Sequence, residues 1–468
     1  MTAMKSRIIA LSLVAVTCAS PSMGEQAPST STLTVPTFGT VTIYRPAKAP
    51  DQVVLFLSGD GGWNLGVVPM AEMLRREGAL VVGIDIRTFI KNLDAGPSCV
   101  SPAGPLEELS RAVQQYAELP FYHRPIIVGY SSGATMAYAA LAGAPPETFA
   151  GGISLGFCPD LEMKTAPCRM RGLRPSKRPT GTGYDLAPYS ELTVPWAVLH
   201  GDADQVCPLA GAKAFVGATG SARLFALPKV GHGFGVPANW QQQYLQAYRV
   251  IANAKPIVSA TTSAPDVADL RLVEVPATGK AAGDTMAIVL TGDGGWADLD
   301  KGVAQGLATH GIPVVGWSSL TYYWTARTPD QAAADLARIV ERYSAIWQRT
   351  RVLLVGYSFG ADVAPYLVNR LPDPTRAKIS RVAMLGPSAS ATFEFHLSAW
   401  LGKSAGERPY PTGPEIDRID LPMLCVAATD EADSICRSSR NPRLRLALVG
   451  IGHHFSGDYA QLVDLILR

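Results

Sequence analysis

Apolar and polar positions along the chain follow two periods that alternate. QVVLFLSG (52–59), ALVVGIDI (79–86), IIVGY (126–130) and RVLLVGY (351–357) are almost wholly apolar and rich in β-branched residues, the pattern of strands buried on both faces. Between such runs, VPMAEMLRREG (68–78), LDKGVAQGLATHG (299–311) and PDQAAADLARIVERYSAIWQ (329–348) carry apolar residues at helical spacing. The first two close on glycine and the third opens on Pro329. STLTVPTFGTVTIY (31–44) and LRLVEVPATG (270–279) instead alternate apolar with polar, as half-solvated leading strands do. Strand, helix, strand, helix with continuous apolar strands predicts a mostly parallel sheet covered by helices on both faces.

The pattern is written twice. LSGDGGW (57–63) returns as LTGDGGW (290–296), and GYSSG (129–133) as GYSFG (356–360). HGDADQVCP (200–208) lines up with TDEADSICR (429–437), and KVGHGFG (229–235) with GIGHHFS (450–456). Landmarks in one order at nearly constant spacing define a tandem repeat. The expected organisation is a leader at 1–24, a first domain at 25–254, a Pro/Ser/Thr/Ala-rich linker at 255–270 and a second domain at 271–468.

The leader follows from Lys5 and Arg7, the apolar run IIALSLVAVTCA and the small residues after it, with cleavage expected after Gly24. That run is too short to span a bilayer, so the expectation is an exported, periplasmic protein. Beyond it, Cys99, Cys158, Cys168, Cys207, Cys425 and Cys436 make an even set, favouring disulfides over a metal site. Cys425 and Cys436 are alone in the second half and are expected to pair. The other four leave three connectivities open; the first copy has Trp196 near the position corresponding to Cys425, so Cys207 either finds a different partner or stays free. A net charge of +2 gives no reason to expect nucleic acid, and the local excess at Arg169, Arg171, Arg174, Lys177 and Arg178 reads as a solvated loop. No metal or cofactor is expected.

G-x-S-x-G between an apolar strand and a helix is the pattern of a nucleophile elbow, which lifts a serine above the sheet. A serine needs a base, and the base an orienting acid. Both copies supply them in the order serine, acid, histidine: Ser131, Asp204, His232 and Ser358, Asp433, His453. Asp202 and Glu431 in the same acidic loops read as a helix cap or solvated charges, and His454 competes with His453. The repeated glycine-rich stretch has the place of a loop that donates N–H groups to an oxyanion. The expected donors are Gly61 with Ser132 in the first copy and Gly294 with Phe359 in the second, with Asp60 and Asp293 shaping the turns.

LTYYWTARTPDQAAADL, GYSFGADVAPYLVNRLP, LGPSASATFEFHLSAWLG, LCVAATDEADSIC and GHHFSGDYAQL in the second copy resemble the bacterial virulence protein VirJ family. The tandem arrangement behind a leader resembles its longer AcvB relatives. The resemblance implies two tandem α/β-hydrolase-like domains, a periplasmic location, and hydrolysis of lysyl or alanyl esters of phosphatidylglycerol. It makes Ser358 the nucleophile, with His453 and Asp433 its partners. Ala427 and Ala428 depart from the family's Tyr-Gly, and the first copy lacks the YYWTARTP signature. Asp293, Trp296, Tyr323 and Glu394 are the expected substrate contacts, with the TYYW aromatics (321–324) offered to a membrane interface. The implied partners are an aminoacylated phospholipid at a membrane surface and secretion-system proteins. A binding module for secretion partners, with relic triads, and a peptidase or lipase of ordinary substrates are the competing readings.

Overall fold

The computed structural model describes residues 29–468 except 65, 97–98, 146–147, 180, 254–265, 280–282, 396–409 and 433. The leader and most of the linker therefore lie outside the described residues. Two sheets organise the rest. The first has eight strands in the order Thr30–Val35, Gly39–Tyr44, Ala79–Ile84, Gln52–Leu57, Ile126–Tyr130, Gly151–Leu155, Trp196–Gly201 and Ala222–Leu227. The opening hairpin is antiparallel, and from Ala79–Ile84 onward every pairing is parallel.

The second sheet repeats this plan with one outer strand fewer. Its seven strands run in the order Val273–Val275, Val314–Trp317, Thr285–Leu290, Arg351–Tyr357, Ile379–Leu385, Met423–Ala427 and Leu444–Leu448. Only Val273–Val275 is antiparallel to its neighbour.

Central strands such as Gln52–Leu57 and Thr285–Leu290 are buried almost throughout, whereas Thr30–Val35 alternates between exposed and half-buried, as its polar-apolar alternation predicts. Each sheet carries an apolar core on both faces. The helix Pro329–Trp347 starts where its sequence dictates. The Thr328 hydroxyl accepts the Gln331 N–H, the Gln331 side chain returns to Thr328, and Pro329 occupies the first turn.

The two lobes are packed together through the helix Ala103–Tyr116 of the first and the loop that follows it. Trp324 donates its indole N–H to the Leu119 carbonyl at 2.8 Å and stacks on Phe395. Tyr122 and Leu320 complete the apolar plug between the sheets. Arg171, from the basic loop, reaches Asp298 at 2.7 Å, so part of that loop is engaged in the lobe contact. Three disulfides join Cys99 to Cys168, Cys158 to Cys207 and Cys425 to Cys436. The last is the expected pair, and the first two settle the open connectivity. Cross-links of this number suit an oxidising, exported compartment. Among the described residues no helix is long and apolar enough to cross a membrane.

Candidate active sites

Ser131 and Ser358 both sit at positive φ, 54° and 49°, between a parallel strand and the helix it feeds. That backbone is costly for a residue with a Cβ, and the flanking glycines show why the turn can be so tight. A Cβ on Gly129 would lie 2.0 Å from the Gly133 carbonyl, and one on Gly133 2.3 Å from that of Ser58. Gly356 and Gly360 repeat the arrangement against Gly360 and Leu290. The helix can press onto the strand only without side chains there, and the compression turns each serine outward.

In the first lobe the Ser131 hydroxyl lies 2.9 Å from His232 Nε2, and His232 Nδ1 lies 2.7 Å from Asp204 Oδ2. In the second, Ser358 Oγ lies 2.8 Å from His453 Nε2, and His453 Nδ1 lies 3.2 Å from Glu431 Oε1. The expected acid Asp433 lies outside the described residues, and Glu431 is the carboxylate brought to the imidazole. The reason is register. Leu199 beside Leu155 and Val426 beside Leu385 are matched strand positions, and five residues beyond them stand Asp204 and Glu431. Matching the cysteines downstream instead skips two extra residues in the second loop and points to Asp433. Asp202, by contrast, accepts the Lys229 N–H and shapes the turn. His454 turns to the Tyr357 hydroxyl at 3.1 Å.

Glycine and tyrosine hold each imidazole in place. Gly156 and Gly386, both at positive φ, end the next strand where a Cβ would meet the histidine Cε1 at 3.2 and 2.9 Å. The Tyr130 and Tyr357 hydroxyls donate to the carbonyls of His232 and His453 at 3.0 and 3.3 Å. Neither pair was anticipated from sequence. The signal lay in plain view, because GYS and LG recur in both copies.

The two sites differ in solvation. The His232 side chain is 17% exposed and Asp204 fully covered, whereas His453 is 43% exposed and Glu431 29%. Burial alone would push the Asp204 carboxyl up. The N–H groups of Cys207 and Val206, both 2.9 Å away, together with His232 bring it below the ordinary carboxylate range, so it stays ionised. Asp204, Cys207 and His232 lie close enough to hold a metal ion, yet the cysteine is in a disulfide and the other two bond each other. Both acid loops are covalently tied, by different routes: Cys207 to Cys158 beyond the neighbouring strand, Cys436 to Cys425 within the strand beneath it. Strand pairing places Val198 opposite Ser154 as Cys425 lies opposite Met384, so the first lobe's match for Cys425 is Val198 rather than Trp196.

Ser132 and Phe359 open the helices after the nucleophiles, as expected of amides aimed at an oxyanion. In the glycine-rich loops the glycine that runs closest to each nucleophile is the first, two residues before Gly61 and Gly294. A Cβ on Gly59 would lie 3.1 Å from the Ser131 Cβ, and one on Gly292 3.5 Å from that of Ser358. Gly61 meets its own turn, where the nearest atom to a Cβ is Asn64 Nδ2 at 3.1 Å, and Gly294 lies between Ala297 Cβ at 3.9 Å and Arg111 of the first lobe at 4.0 Å. Trp63 and Trp296 anchor the loops by lying over Gly83 and Gly316 of the adjacent strand. Tyr323 is buried against Phe359 and Phe393, and Tyr322 and Trp324 are buried too, so these aromatics form core and lobe interface rather than a membrane-facing belt. Asp293 is partly covered and Glu394 exposed.

The family model described as bacterial virulence protein (VirJ) matches residues 51–149 and 284–468, and that of the prolyl oligopeptidase family matches 105–254. No curated protein matches the chain. Solved structures similar to it include Est1E from Butyrivibrio proteoclasticus, at 15% identity and TM-score 0.32 over 49% of this chain and 100% of that one. Esterase 2 of Thermogutta terrifontis is similar at 16% identity and TM-score 0.35, over 48% and 94%. A dienelactone hydrolase from Anabaena variabilis is similar at 17% identity and TM-score 0.33, over 47% and 94%. Strand order, elbow and hydrogen-bonded serine, histidine and carboxylate are those of an α/β-hydrolase, present twice in one chain.

Proposed function

The chain belongs to the bacterial virulence protein (VirJ) family, and from that premise we propose that it is a periplasmic serine esterase that removes the aminoacyl group from aminoacylated phosphatidylglycerol. The observation that carries the reading is the Ser358–His453–Glu431 relay, with bonds of 2.8 and 3.2 Å, mounted on a positive-φ elbow. Ser358 Oγ attacks the ester carbonyl carbon while His453 Nε2 takes the hydroxyl proton. Glu431 accepts from Nδ1, fixing the tautomer and balancing the imidazolium. The oxyanion is held by the Phe359 amide and by the loop peptide beside Gly292. Collapse expels phosphatidylglycerol, whose glycerol oxygen takes the proton from His453. Water then repeats the sequence and frees the amino acid. Asp293, in the same loop, supplies a carboxylate for the substrate's ammonium. The leader read in the sequence and the three disulfides support a periplasmic location.

The test is release of free amino acid from lysyl- and alanyl-phosphatidylglycerol in detergent micelles, with Ser358→Ala and Ser131→Ala compared. Ser358→Ala should abolish release and Ser131→Ala should leave most of it. The reverse result would move the activity to the first lobe. Absence of fluorophosphonate labelling at either serine would favour the scaffold reading.

A further inference from the structure

The aromatics expected at a membrane interface are buried, but a different surface beside the second site is exposed and apolar. In the first lobe the outer strand Ala222–Leu227 is roofed by the helix Leu209–Gly217, and Leu224 is partly buried against the core. In the second lobe the described part of the same connection forms only the four-residue helix Ile435–Ser438. Leu446 holds the position of Leu224, each opposite the same register point of the neighbouring strand. Without the roof, Leu446 is 40% exposed, Leu448 43% and Ile451 67%. Leu446 and Leu448 share a face of the strand, and Ile451 follows two residues before His453.

Charge accompanies this patch. From Ser434 to Gly457 there is no aspartate or glutamate, while Arg437, Arg440, Arg443 and Arg445 are all exposed; of the carboxylates packed against this segment, Asp430 accepts the Gly452 N–H and Asp420 lies near Arg443. The Arg437 guanidinium donates to the carbonyls of Glu431 and Thr429, which fixes one of these cations at the His453 end of the sheet. Apolar side chains flanked by exposed arginines, on an edge with no covering helix among the described residues, match an anionic bilayer: acyl boundary for the leucines and isoleucine, lipid phosphate for the guanidiniums.

We propose that the Leu446–Leu448–Ile451 edge, with its arginine rim, docks the protein on the anionic lipid surface and sets the Ser358 site against the headgroups. The proposal rests on the lipid-esterase reading for its purpose, but not for its test. Purified protein, in the form the expressing cell processes, is sedimented with phosphatidylglycerol/phosphatidylethanolamine vesicles and with phosphatidylcholine vesicles. The wild type should bind the anionic vesicles, release as salt rises, and bind the zwitterionic ones weakly. Leu446→Ser/Leu448→Ser and, separately, Arg440→Gln/Arg443→Gln should each lower the bound fraction about tenfold. Their melting and their fluorophosphonate labelling of Ser358 should match wild type. Equal binding by wild type and both variants overturns the proposal, as does wild type that ignores anionic vesicles. Loss of self-association in the leucine variant with vesicle binding intact would reassign the edge to a second copy of the chain. Micellar hydrolysis without vesicle binding would remove the docking surface and keep the esterase. Vesicle binding without aminoacyl-lipid hydrolysis would do the opposite.

Discussion

Glu431 is the residue on which sequence and structure part company. Serine and histidine were legible because each sits in a short motif repeated in both copies, GYS and GH. The acid lies in a loop whose register is counted from a strand end, and two extra residues before Cys436 hide the count. Glu431→Gln keeps the shape but loses the anion, so the labelling rate of Ser358 should fall by about a hundredfold or more, while Asp433→Asn should stay near wild type. Progress curves of fluorophosphonate labelling decide between them. Asp300, buried beneath the same glycine-rich loop, makes a second claim at this scale. Burial pushes its carboxyl up to about 8, against the N–H groups of Ala297 and Gly292 that draw it down. A value raised above the unfolded ~3.9 means that the folded chain holds the proton longer, so the contribution of Asp300 to stability is fullest in acid and declines as pH climbs from about 4 toward 8. Asp300→Asn has no such proton to lose. Its melting temperature should change less than that of wild type between about pH 5 and pH 8, which scanning calorimetry at several pH values can read.

At the level of elements, the strands and helices followed from periodicity because a parallel sheet covered on both faces leaves little freedom in where apolar residues go. The elbow's glycines were legible for the same reason, since they mark where two backbones meet. What periodicity could not supply was the identity of groups acting across elements. The Tyr357 hydroxyl on the His453 carbonyl and the bare Gly386 against its ring belong to neighbouring strands and become visible only once those strands are paired. Gly386→Ala tests that contact. An alanine at φ 63° costs about 1–2 kcal/mol, a tolerable loss. Its methyl would also stand 2.9 Å from His453 Cε1 and must displace the imidazole from Ser358. The expected outcome is a melting point lowered by only a few degrees and a Ser358 labelling rate lowered about a hundredfold. A rate that tracks the small stability loss would mean that the ring is held elsewhere.

For the whole molecule, the tandem repeat joins two similar lobes so that one reaches into the other's site. Arg111, on the first lobe's helix Ala103–Tyr116, is 3% exposed, bonds Glu107 at 2.6 Å, and donates to the Gly294 carbonyl at 3.2 Å. Gly294 lies in the loop beside Ser358, so a cation of one lobe fixes the backbone of the other's proposed oxyanion loop. A buried guanidinium is expensive to keep unless its bonds are made, which makes the contact a stiff one. Arg111→Met keeps the stem and removes the donor. If the bond positions the loop, Ser358 should label about tenfold more slowly, with substrate KM little changed and kcat reduced, while Ser131 in the same molecule labels at its wild-type rate. Arg111→Lys should restore part of the loss, since it returns a donor without the fork. If both serines slow together and the melting point drops, Arg111 is lobe adhesive only, and the second site does not depend on the first lobe for its geometry. Mass spectrometry of the two active-site peptides from one labelling reaction separates these outcomes, because the first lobe serves as the internal standard for the second.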